Sequence, residues 1–363
     1  MGATTIKKVS FEPINIALDE PFTIAIGTQY NIENVLVTIE LENGIKGFGE
    51  AAPFAPINGE NQSTVLAMLN SCKDSIIGSD ASAYKAISKS LKSVFRVQVT
   101  ARCAIEMALL DAFTRSLDIP LYNFLGNAVT SIETDYTVDI VPPDTARVNA
   151  SKLARQGYRV LKTKVGKNLI SDIDRILAIK DGAPGCEVTL DANQGFSPCE
   201  AVHFLEELQK NNIRPVLFEQ PVLKYDLRGM KYVKDHTSIP VAADESVFTA
   251  SDAMNVILTG CADVINIKIM KSGIVEALDI AAIARSANLK LMIGCMLESR
   301  LALGCSVHIA AGLGTFDFID LDPHIDPGKE PFTGGPEYTA PFYSVSNVQG
   351  GIGVQGGIGV QKK

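Results

Sequence analysis

The chain has 363 residues, of which 46% are hydrophobic and 20% are charged, and its formal net charge is −8. An acidic chain without a basic run offers nothing to a phosphate backbone, so no nucleic-acid partner is expected, and no apolar run is long enough to span a membrane. The seven cysteines form no CxxC pair, and the N-terminus lacks the basic and apolar parts of a signal peptide, so we expect a cytoplasmic protein with reduced thiols. Cys186, Cys261 and Cys295 lie beside apolar runs and are expected in the core.

The first part of the chain carries a β pattern followed by a helical one. Hydrophobic and polar side chains alternate in NVLVTIELENGIKGFGE, with a turn at 42–44, which predicts antiparallel strands. Helical stretches follow near 62–78 and 81–95, and a long helix runs through TARCAIEMALLDAFTRSL, with Thr100 as its N-cap and a small apolar face for tight packing. We predict an N-terminal α+β capping domain over residues 1–125.

From about residue 133 the pattern changes to strands that alternate with helices. Spacings of roughly 23 to 29 residues are those of one strand and its return helix in a parallel β/α barrel, and no GxGxxG follows the first strand, which disfavours a doubly wound sheet. The predicted fold class is therefore α/β, with a (β/α)8-type barrel over residues 126–325. Its strands are predicted near residues 134–139, 159–165, 187–191, 216–219, 239–243, 263–268, 290–294 and 317–321.

The last segment, residues 326–363, is rich in proline and glycine. It should not complete another βα unit, so the barrel is expected in the modified (β/α)7β form. The segment ends in a tandem repeat, with GGIGVQ at 350–355 and again at 356–361. This composition predicts either a flexible glycine-rich tail or a loop with one duplicated copy.

Three acids mark the C-terminal ends of consecutive predicted strands. Asp191 ends CEVTLDAN, Glu219 ends PVLFEQP and Asp244 ends IPVAADES. Active sites of β/α barrels lie at this rim, and converging carboxylate oxygens suit a hard divalent cation such as Mg²⁺.

Lysines complete the predicted rim. Lys162 and Lys164 are two residues apart in RVLKTKVG, so both point to one face of the strand, and Lys268 ends the strand in DVINIKIMKSG. The positive charge of Lys162 would favour a neutral amine at Lys164, which is the form that accepts a proton. A solvated surface pair is the alternative. Lys271 is expected at the following loop or helix start, as a structural or solvated charge.

Nearly the whole chain resembles the enolase superfamily, in particular its muconate-lactonizing-enzyme subgroup. The ARCAIEMALLDA helix followed by IPLYNFLG resembles the segment that joins the family's capping domain to its barrel, and GGIGV resembles its C-terminal return loop. The resemblance therefore implies that the C-terminal segment, residues 326–363, returns to the capping domain and forms part of it. One departure is KIMKSGI, which has Ile274 where the family's KxxKxGG has its second glycine. The ordered motifs are KxK (Lys162, Lys164), DxN (Asp191, Asn193), E (Glu219), DE (Asp244, Glu245) and K (Lys268).

The resemblance implies a metal site and a pair of bases. The three rim acids would bind one Mg²⁺ per subunit, supported by Asn193 and Glu245, and the metal would hold the substrate carboxylate and an enediolate. Lys164 and Lys268 would flank the α-carbon, one to take a proton and the other to return one on the opposite face. Lys162 would support the base and contact the substrate.

The sequence FIDLDPH indicates which group the substrate has at the end opposite its carboxylate. Asp320 and Asp322 lie two apart at the end of the eighth strand, where they could receive a cation, although a capped turn before the following proline is the alternative. Within the family this DxD resembles that of dipeptide epimerases, whose aspartates hold the α-ammonium of the dipeptide. His324 and Glu298 are further candidates for the pocket wall.

The absence of a basic residue from one loop predicts which substrate side chains the protein prefers. Ala-Glu epimerases of the family use an arginine in the loop after the first strand, whereas PFTIAIGTQY at 21–30 has Ile24 and Ile26 and no basic residue. A buried glutamate without a cation costs several kcal/mol. We therefore expect a preference for small or apolar dipeptides, such as Ala-Ala or Ala-Val, over Ala-Glu. The loop APINGENQ at 55–62 resembles the family's flap over the site.

Alternatives remain open at this stage. Within the subgroup they are an Ala-Glu epimerase, an N-acylamino acid racemase, an o-succinylbenzoate synthase and a cycloisomerase. Outside it, the strand-end lysines alone would suit a Schiff-base aldolase, and a barrel can also serve as a non-catalytic binding protein. A small-molecule dipeptide is the expected partner, and we expect a homo-oligomer.

Overall fold

The computed structural model describes residues 2–24 and 27–355. Its N-terminal domain opens with an antiparallel sheet in the order β1-β2-β3. The predicted turn is confirmed, since the N–H of Gly44 (φ +85°) donates to the Leu41 carbonyl at 2.9 Å. The strands are β1 (Ile6–Ile24), β2 (Gly27–Leu41) and β3 (Lys46–Ala51).

The helices of this domain pack against the sheet through small residues. A Cβ on Gly49 of β3 would lie 2.0 Å from the Ala104 carbonyl oxygen, and one on Gly47 would lie 2.2 Å from that of Ala108. Only glycine permits this close approach, so the tight packing predicted for the long helix is confirmed. The helices are α1 (Ala55–Asn58), α2 (Gln62–Ile76), α3 (Tyr84–Val94), α4 (Val99–Ser116) and α5 (Leu121–Phe124), with a short 3-10 turn at Ala81–Ala83.

The predicted N-cap of α4 is wrong. The helix begins at Val99, one residue before Thr100, and the N–H groups of both residues donate to Glu60 Oε1 at 2.9 and 3.0 Å. Thr100 donates its own hydroxyl to Glu60 Oε2 at 2.7 Å. A carboxylate from the loop between α1 and α2 therefore satisfies the free N–H groups that a cap would otherwise take.

Eight parallel strands in the described residues form the barrel sheet, in sequential order from β5 to β12. The first strand after the capping helices, β4 (Ser131–Glu133), lies outside this sheet. Every strand predicted for the barrel is confirmed within the predicted range. The barrel strands are β5 (Tyr136–Val138), β6 (Val160–Lys164), β7 (Glu187–Asp191), β8 (Leu217–Glu219), β9 (Val241–Ala243), β10 (Val264–Ile267), β11 (Lys290–Gly294) and β12 (Phe318–Asp320).

Helices connect the barrel strands, and hydrogen bonds join the two ends of the sheet. The Asp135 N–H donates to the Ile319 carbonyl at 3.0 Å, and the Leu321 N–H donates to Thr134 Oγ1 at 2.8 Å. These bonds hold β12 beside the residues that immediately precede β5. The connecting helices are α6 (Pro143–Arg155), α7 (Leu169–Gly182), α8 (Pro198–Lys210), α9 (Leu227–Asp235), α10 (Ala250–Thr259), α11 (Ile269–Ser272), α12 (Ile274–Ser286) and α13 (Arg300–Leu313).

The C-terminal segment takes the place of an eighth helix. Within the described ranges no helix follows β12, so the expected (β/α)7β form is confirmed. The segment runs back to α4, where Ile352 donates its N–H to Asp111 Oδ1 at 2.7 Å. The second GGIGVQ copy, at 356–361, lies outside the described residues. The segment contains β13 (Thr333–Gly334), β14 (Glu337–Thr339), β15 (Phe342–Ser344) and β16 (Val354–Gln355).

Two hydrophobic clusters hold these parts together. The larger one fills the space between the barrel strands and their helices, and the other lies between the N-terminal sheet and its helices. In the described part of the chain, no helix combines the length and the apolarity needed to cross a membrane.

Candidate active site

The charged side chains enter the barrel because successive residues of a strand face opposite sides. On β8, Leu217 and Glu219 share the inner face, and Ala242 on β9 shares its face with Asp244. The apolar residues come earlier on each strand and form a small layer inside the barrel. The charged residues come later and lie at the C-terminal rim. The buried members of that layer are Leu217, Ala242, Val264 and Met292.

Lys162 lies at the centre of the site. Its Nζ is 2.6 Å from Glu219 Oε2, 2.6 Å from Asp320 Oδ2 and 3.0 Å from Asp191 Oδ2. Burial alone would lower the pKa of Lys162, but the three carboxylates raise it well above its ordinary value. Lys162 is thus an ammonium that links Asp191 and Glu219 to Asp320 at the end of β12. The alternative of a solvated pair is wrong, because Lys162 and Lys164 are both buried.

Lys164 and Lys268 face the same cavity from opposite sides of the barrel. Three strands separate β6 from β10 in either direction around the sheet. Lys164 Nζ lies 2.6 Å from Asp191 Oδ2, and Lys268 Nζ lies 2.9 Å from Asp244 Oδ2. Burial lowers the pKa of Lys268, but Asp244 and Glu219 raise it by more, so the net shift is upward.

The three rim acids are completely buried. Burial and the charge of Asp191 raise the pKa of Glu219, whereas nearby lysines outweigh burial and lower the pKa of Asp191 and of Asp244. Among the described residues these carboxylates do not bring one oxygen each within 4.8 Å of the others. The ammonium group of Lys162 lies between Asp191 and Glu219 and balances part of their negative charge.

The donor set nevertheless fits Mg²⁺. It consists of buried carboxylates of like charge, whose repulsion a divalent cation would relieve, and oxygen is the ligand that Mg²⁺ prefers. Asn193 and Glu245 lie beside the set. The Asn193 N–H donates to Asp191 Oδ1 at 3.0 Å, and its Nδ2 donates to Glu245 Oε1 at 3.3 Å. Burial and the charge of Asp244 raise the pKa of Glu245.

Three further polar residues surround the acids. Lys271 lies in the short helix after β10, as predicted, and of the two alternatives it is the structural charge, since it is buried and its Nζ lies 2.5 Å from Asp244 Oδ1. Asn266 Nδ2 donates to Glu219 Oε1 at 2.7 Å, and Gln220 Oε1 accepts the Asp244 N–H at 2.9 Å. Asn266 could have been predicted from the sequence, because the alternation along β10 puts it on the same face as Lys268. Gln220 could not, because its backbone has a φ of +37°, which no sequence pattern indicates.

Asp320 and Asp322 have separate partners. Asp320 binds Lys162, as described above. Asp322 Oδ2 accepts the Thr137 N–H from β5 at 2.8 Å, and its Oδ1 lies 3.2 Å from His324 Nε2. Burial would lower the pKa of His324, but Asp322 raises it. The His324 imidazole therefore lies against Asp322 Oδ1, where a substrate ammonium was expected.

The cavity between these groups is small and is closed by the N-terminal domain. Both lysines and both aspartates line it, with Phe22, Phe54 and Ile57 on the domain's side. Its free volume is about 40 Å³, whereas one water takes about 30 Å³ of liquid, so a larger ligand requires the wall to move. Ile57 belongs to α1, which occupies the loop predicted as a flap.

Two sequence-predicted wall residues cannot be placed in this cavity. The side chain of Ile24 is not described, and Ile26 lies outside the described residues. Glu298 is buried beside a second cavity of about 640 Å³, which shares His324 with the first. Burial raises the pKa of Glu298 to about 8. Cys295, expected in the core, is instead half-buried and lines the first cavity.

Comparison with known proteins covers the whole of this architecture. Residues 145–356 match the family described as enolase C-terminal domain-like, and residues 6–126 match the mandelate racemase / muconate lactonizing enzyme N-terminal domain. The chain is 39% identical to an aromatic dipeptide epimerase of Herpetosiphon aurantiacus, over 96% of this chain and 98% of the relative.

Two further relatives differ in the substrates they are named for. An L-Ala-D/L-Glu epimerase of Thermotoga maritima is 40% identical, over 87% of this chain and 91% of that protein. The crystal structure of a dipeptide epimerase of Enterococcus faecalis, complexed with Mg and the dipeptide L-Leu-L-Tyr, has a TM-score of 0.93 and 34% identity, covering 97% of this chain and all of that chain. Overall identity thus does not separate acidic from apolar substrates.

Proposed function

The chain belongs to the mandelate racemase / muconate lactonizing enzyme group of the enolase superfamily, and from that premise we propose that this isomerase epimerises dipeptides at the α-carbon of the C-terminal residue. One observation carries the proposal: two lysines from opposite barrel strands, Lys164 and Lys268, face one cavity that also holds buried carboxylates. A substrate between them can lose a proton to one lysine and receive one from the other on its opposite face.

Asp191, Glu219 and Asp244 would hold one Mg²⁺ per subunit, with Asn193 and Glu245 in support. When bound, the metal would balance the negative charge that develops on the substrate carboxylate as the α-proton leaves. Mg²⁺ and the lysines compete for the same oxygens, because Lys164 binds Asp191 and Lys268 binds Asp244. Occupying the carboxylates would free both amines to face the substrate.

The other end of the substrate would lie against Asp322 and Asp320. Its α-ammonium would replace His324 at Asp322 Oδ1, while Lys162 keeps Asp320 in place. This arrangement favours a zwitterionic dipeptide over an N-acylated amino acid, which has no ammonium. The Schiff-base alternative is less suitable, since it has no use for three buried carboxylates.

The side-chain preference we propose is for small or apolar residues. The N-terminal domain contributes Phe22, Phe54 and Ile57 to the cavity wall, and among the described lining residues no cation comes from that domain. A glutamate side chain against this wall would lose its hydration without gaining a partner. An Ala-Glu epimerase is the second candidate, on the strength of the Thermotoga relative.

The sequence-based expectation of a cytoplasmic homo-oligomer stays a prediction.

A dipeptide panel tests the proposal. The protein with Mg²⁺ should epimerise L-Ala-L-Ala and L-Ala-L-Val with a kcat/KM at least about tenfold above that for L-Ala-L-Glu, because one unpaired buried charge costs more than the 1.4 kcal/mol that a factor of ten represents. Chiral chromatography of the products measures each rate. L-Ala-L-Gln is the matched control, since it has the size of the glutamate substrate without its charge. A higher kcat/KM for L-Ala-L-Glu than for the apolar dipeptides would establish the second candidate instead.

A further inference from the structure

Three side chains at the edge of the cavity form a group of a different chemical kind, which we call the Cys-Asp-His cluster. Cys295 follows β11, and Asp322 and His324 follow the neighbouring strand β12. One donor atom from each residue lies within 4.8 Å of the other two. All three residues line the candidate active site.

The cluster is fixed on two sides. The Thr137 N–H holds Asp322 Oδ2 at 2.8 Å, which leaves Oδ1 facing His324 Nε2 at 3.2 Å. The ring of Phe22 packs edge-on against the imidazole of His324, with the centroids 5.3 Å apart. These contacts keep the imidazole of His324 in place, with its Nε2 beside the Asp322 carboxylate.

The donor atoms of the cluster suit a soft or borderline cation. Sulfur, imidazole nitrogen and one carboxylate oxygen are the ligands of Zn²⁺, which binds three protein groups and keeps a fourth position for water or substrate in open sites. Mg²⁺ prefers oxygen alone, so it would go to the rim acids and not to this cluster. Ligands about 2.0 to 2.3 Å from a Zn²⁺ ion lie closer together than 4.8 Å, so the three side chains would draw together on binding.

We propose that Cys295, Asp322 and His324 form a second metal site, selective for Zn²⁺ or a similar thiophilic divalent cation, and that its occupation inhibits the enzyme. The thiol proton is released to solvent as the sulfur binds, and the ring nitrogen that binds also gives up any proton it carries, to solvent from the imidazolium or to the other ring nitrogen in the neutral form. The metal takes the Asp322 oxygen that the dipeptide ammonium would use. The inhibition rests on the proposed function, whereas the binding does not.

Cd²⁺ is the probe for binding, because its bond to a thiolate absorbs in the near ultraviolet. The purified protein, kept in excess Mg²⁺ to fill the rim acids, should bind one equivalent of Cd²⁺ with this absorption. Cys295→Ser should lose it, and His324→Gln should weaken binding by at least about tenfold. Cys199→Ser is the matched control, because Cys199 is a free and exposed cysteine, and it should bind as the unsubstituted protein does.

Two results would overturn the binding proposal. One is an absorption that survives Cys295→Ser and disappears in Cys199→Ser, which would mean binding by the exposed thiol. The other is unchanged affinity in His324→Gln, which decides the matter even if Cys295→Ser does not fold. Neither result depends on any catalytic activity, so failure here is distinct from failure of the proposed function.

The inhibition is tested with Zn²⁺ against the best dipeptide of the panel, at fixed excess Mg²⁺. Zn²⁺ should raise KM at least about tenfold with little change in kcat, because metal and substrate compete for Asp322. His324→Gln should need a higher Zn²⁺ concentration for the same effect. Inhibition that lowers kcat alone, or that is unchanged in His324→Gln, would contradict the proposed mode of inhibition.

Discussion

Four lysine side chains are buried at the mouth of the barrel, although lysine is almost never fully buried unless it is paired. Each Nζ lies within 3.0 Å of a carboxylate oxygen, and the carboxylates belong to Asp191, Glu219, Asp244 and Asp320. A hydrophobic set of similar volume often stabilises a fold as well as buried ion pairs do. Burying these charged lysines is energetically costly, so we infer that they have a chemical role and are not present for stability alone. The four lysines are Lys162, Lys164, Lys268 and Lys271.

Single lysine variants should separate the two faces of the reaction. Lys164→Ala and Lys268→Ala should each lower the rate of epimerisation by about 10² to 10⁴, the usual contribution of a general acid or base. Each variant should still exchange the α-proton with solvent in only one of the two diastereomers, because one base remains. Lys167→Ala, at an exposed lysine of the same rim, should change neither rate. Proton NMR in D₂O measures both; equal loss of exchange in both diastereomers with either variant would contradict the two-base arrangement.

The positions of these residues were predictable, but their partners were not. A two-residue alternation on a strand puts Lys162 and Lys164 on the same face whatever the rest of the chain does. The bond from Lys162 to Asp320 joins residues 158 apart in the sequence, and it depends on how the barrel closes. The sequence left open whether Lys271 is structural or solvated for a related reason, since its burial depends on the path of the short helix after β10.

At the scale of elements, acids of the N-terminal domain bind the N-termini of barrel helices. Glu50, from β3, accepts the N–H groups of Ser299 and Ala302 at the start of α13, at 3.0 and 3.2 Å. Glu106, from α4, accepts those of Ile274 and Val275 at the start of α12, at 2.5 and 3.0 Å. Free N–H groups and the helix dipole favour a carboxylate there. These contacts join the two domains, and no local pattern predicts them.

His308 performs a similar task for the C-terminal segment. Its Nδ1 accepts the Tyr122 N–H at 3.1 Å, and its Nε2 lies 3.1 Å from the Ile352 carbonyl, to which it donates in the neutral form. The apolar sequence ALGCSVHIAAGL around His308 predicts a core histidine with satisfied hydrogen bonds, and this prediction is confirmed. Burial lowers the pKa of His308 to about 4, although the bond to the Ile352 carbonyl opposes this shift.

This shift predicts an acid-dependent loss of stability. Between about pH 6.5 and pH 4 the unfolded chain binds a proton at His308 and the folded chain does not, so the free energy of unfolding falls as the pH falls, by about 3 kcal/mol in all. His308→Gln should lack this part of the pH dependence, whatever its stability at neutral pH. His203→Gln, at an exposed histidine, should retain it. Urea unfolding at several pH values measures the slopes, and parallel slopes for all three proteins would contradict the prediction.

At the scale of the whole molecule, the N-terminal domain and the barrel share one cavity. The barrel supplies the charged groups, and Phe22, Phe54 and Ile57 close it from the other side. The β/α rhythm predicted the barrel from sequence, because each unit is local and repeats. Which side chains close the cavity could not be predicted, since they come from a different domain, and the side-chain preference inferred from Ile24 and Ile26 stays a prediction for the panel to test.

Deuterium incorporation at the α-carbon of a dipeptide incubated in D₂O with the protein and Mg²⁺ decides whether the protein epimerises dipeptides. Mass spectrometry with fragmentation should find one deuterium, on the C-terminal residue only, because both lysines and the metal site face that carbon in the proposed complex. The double variant Lys164→Ala, Lys268→Ala and the EDTA-treated protein should show none. Absence of exchange in every dipeptide tested, or deuterium on the N-terminal residue, would contradict the proposed function.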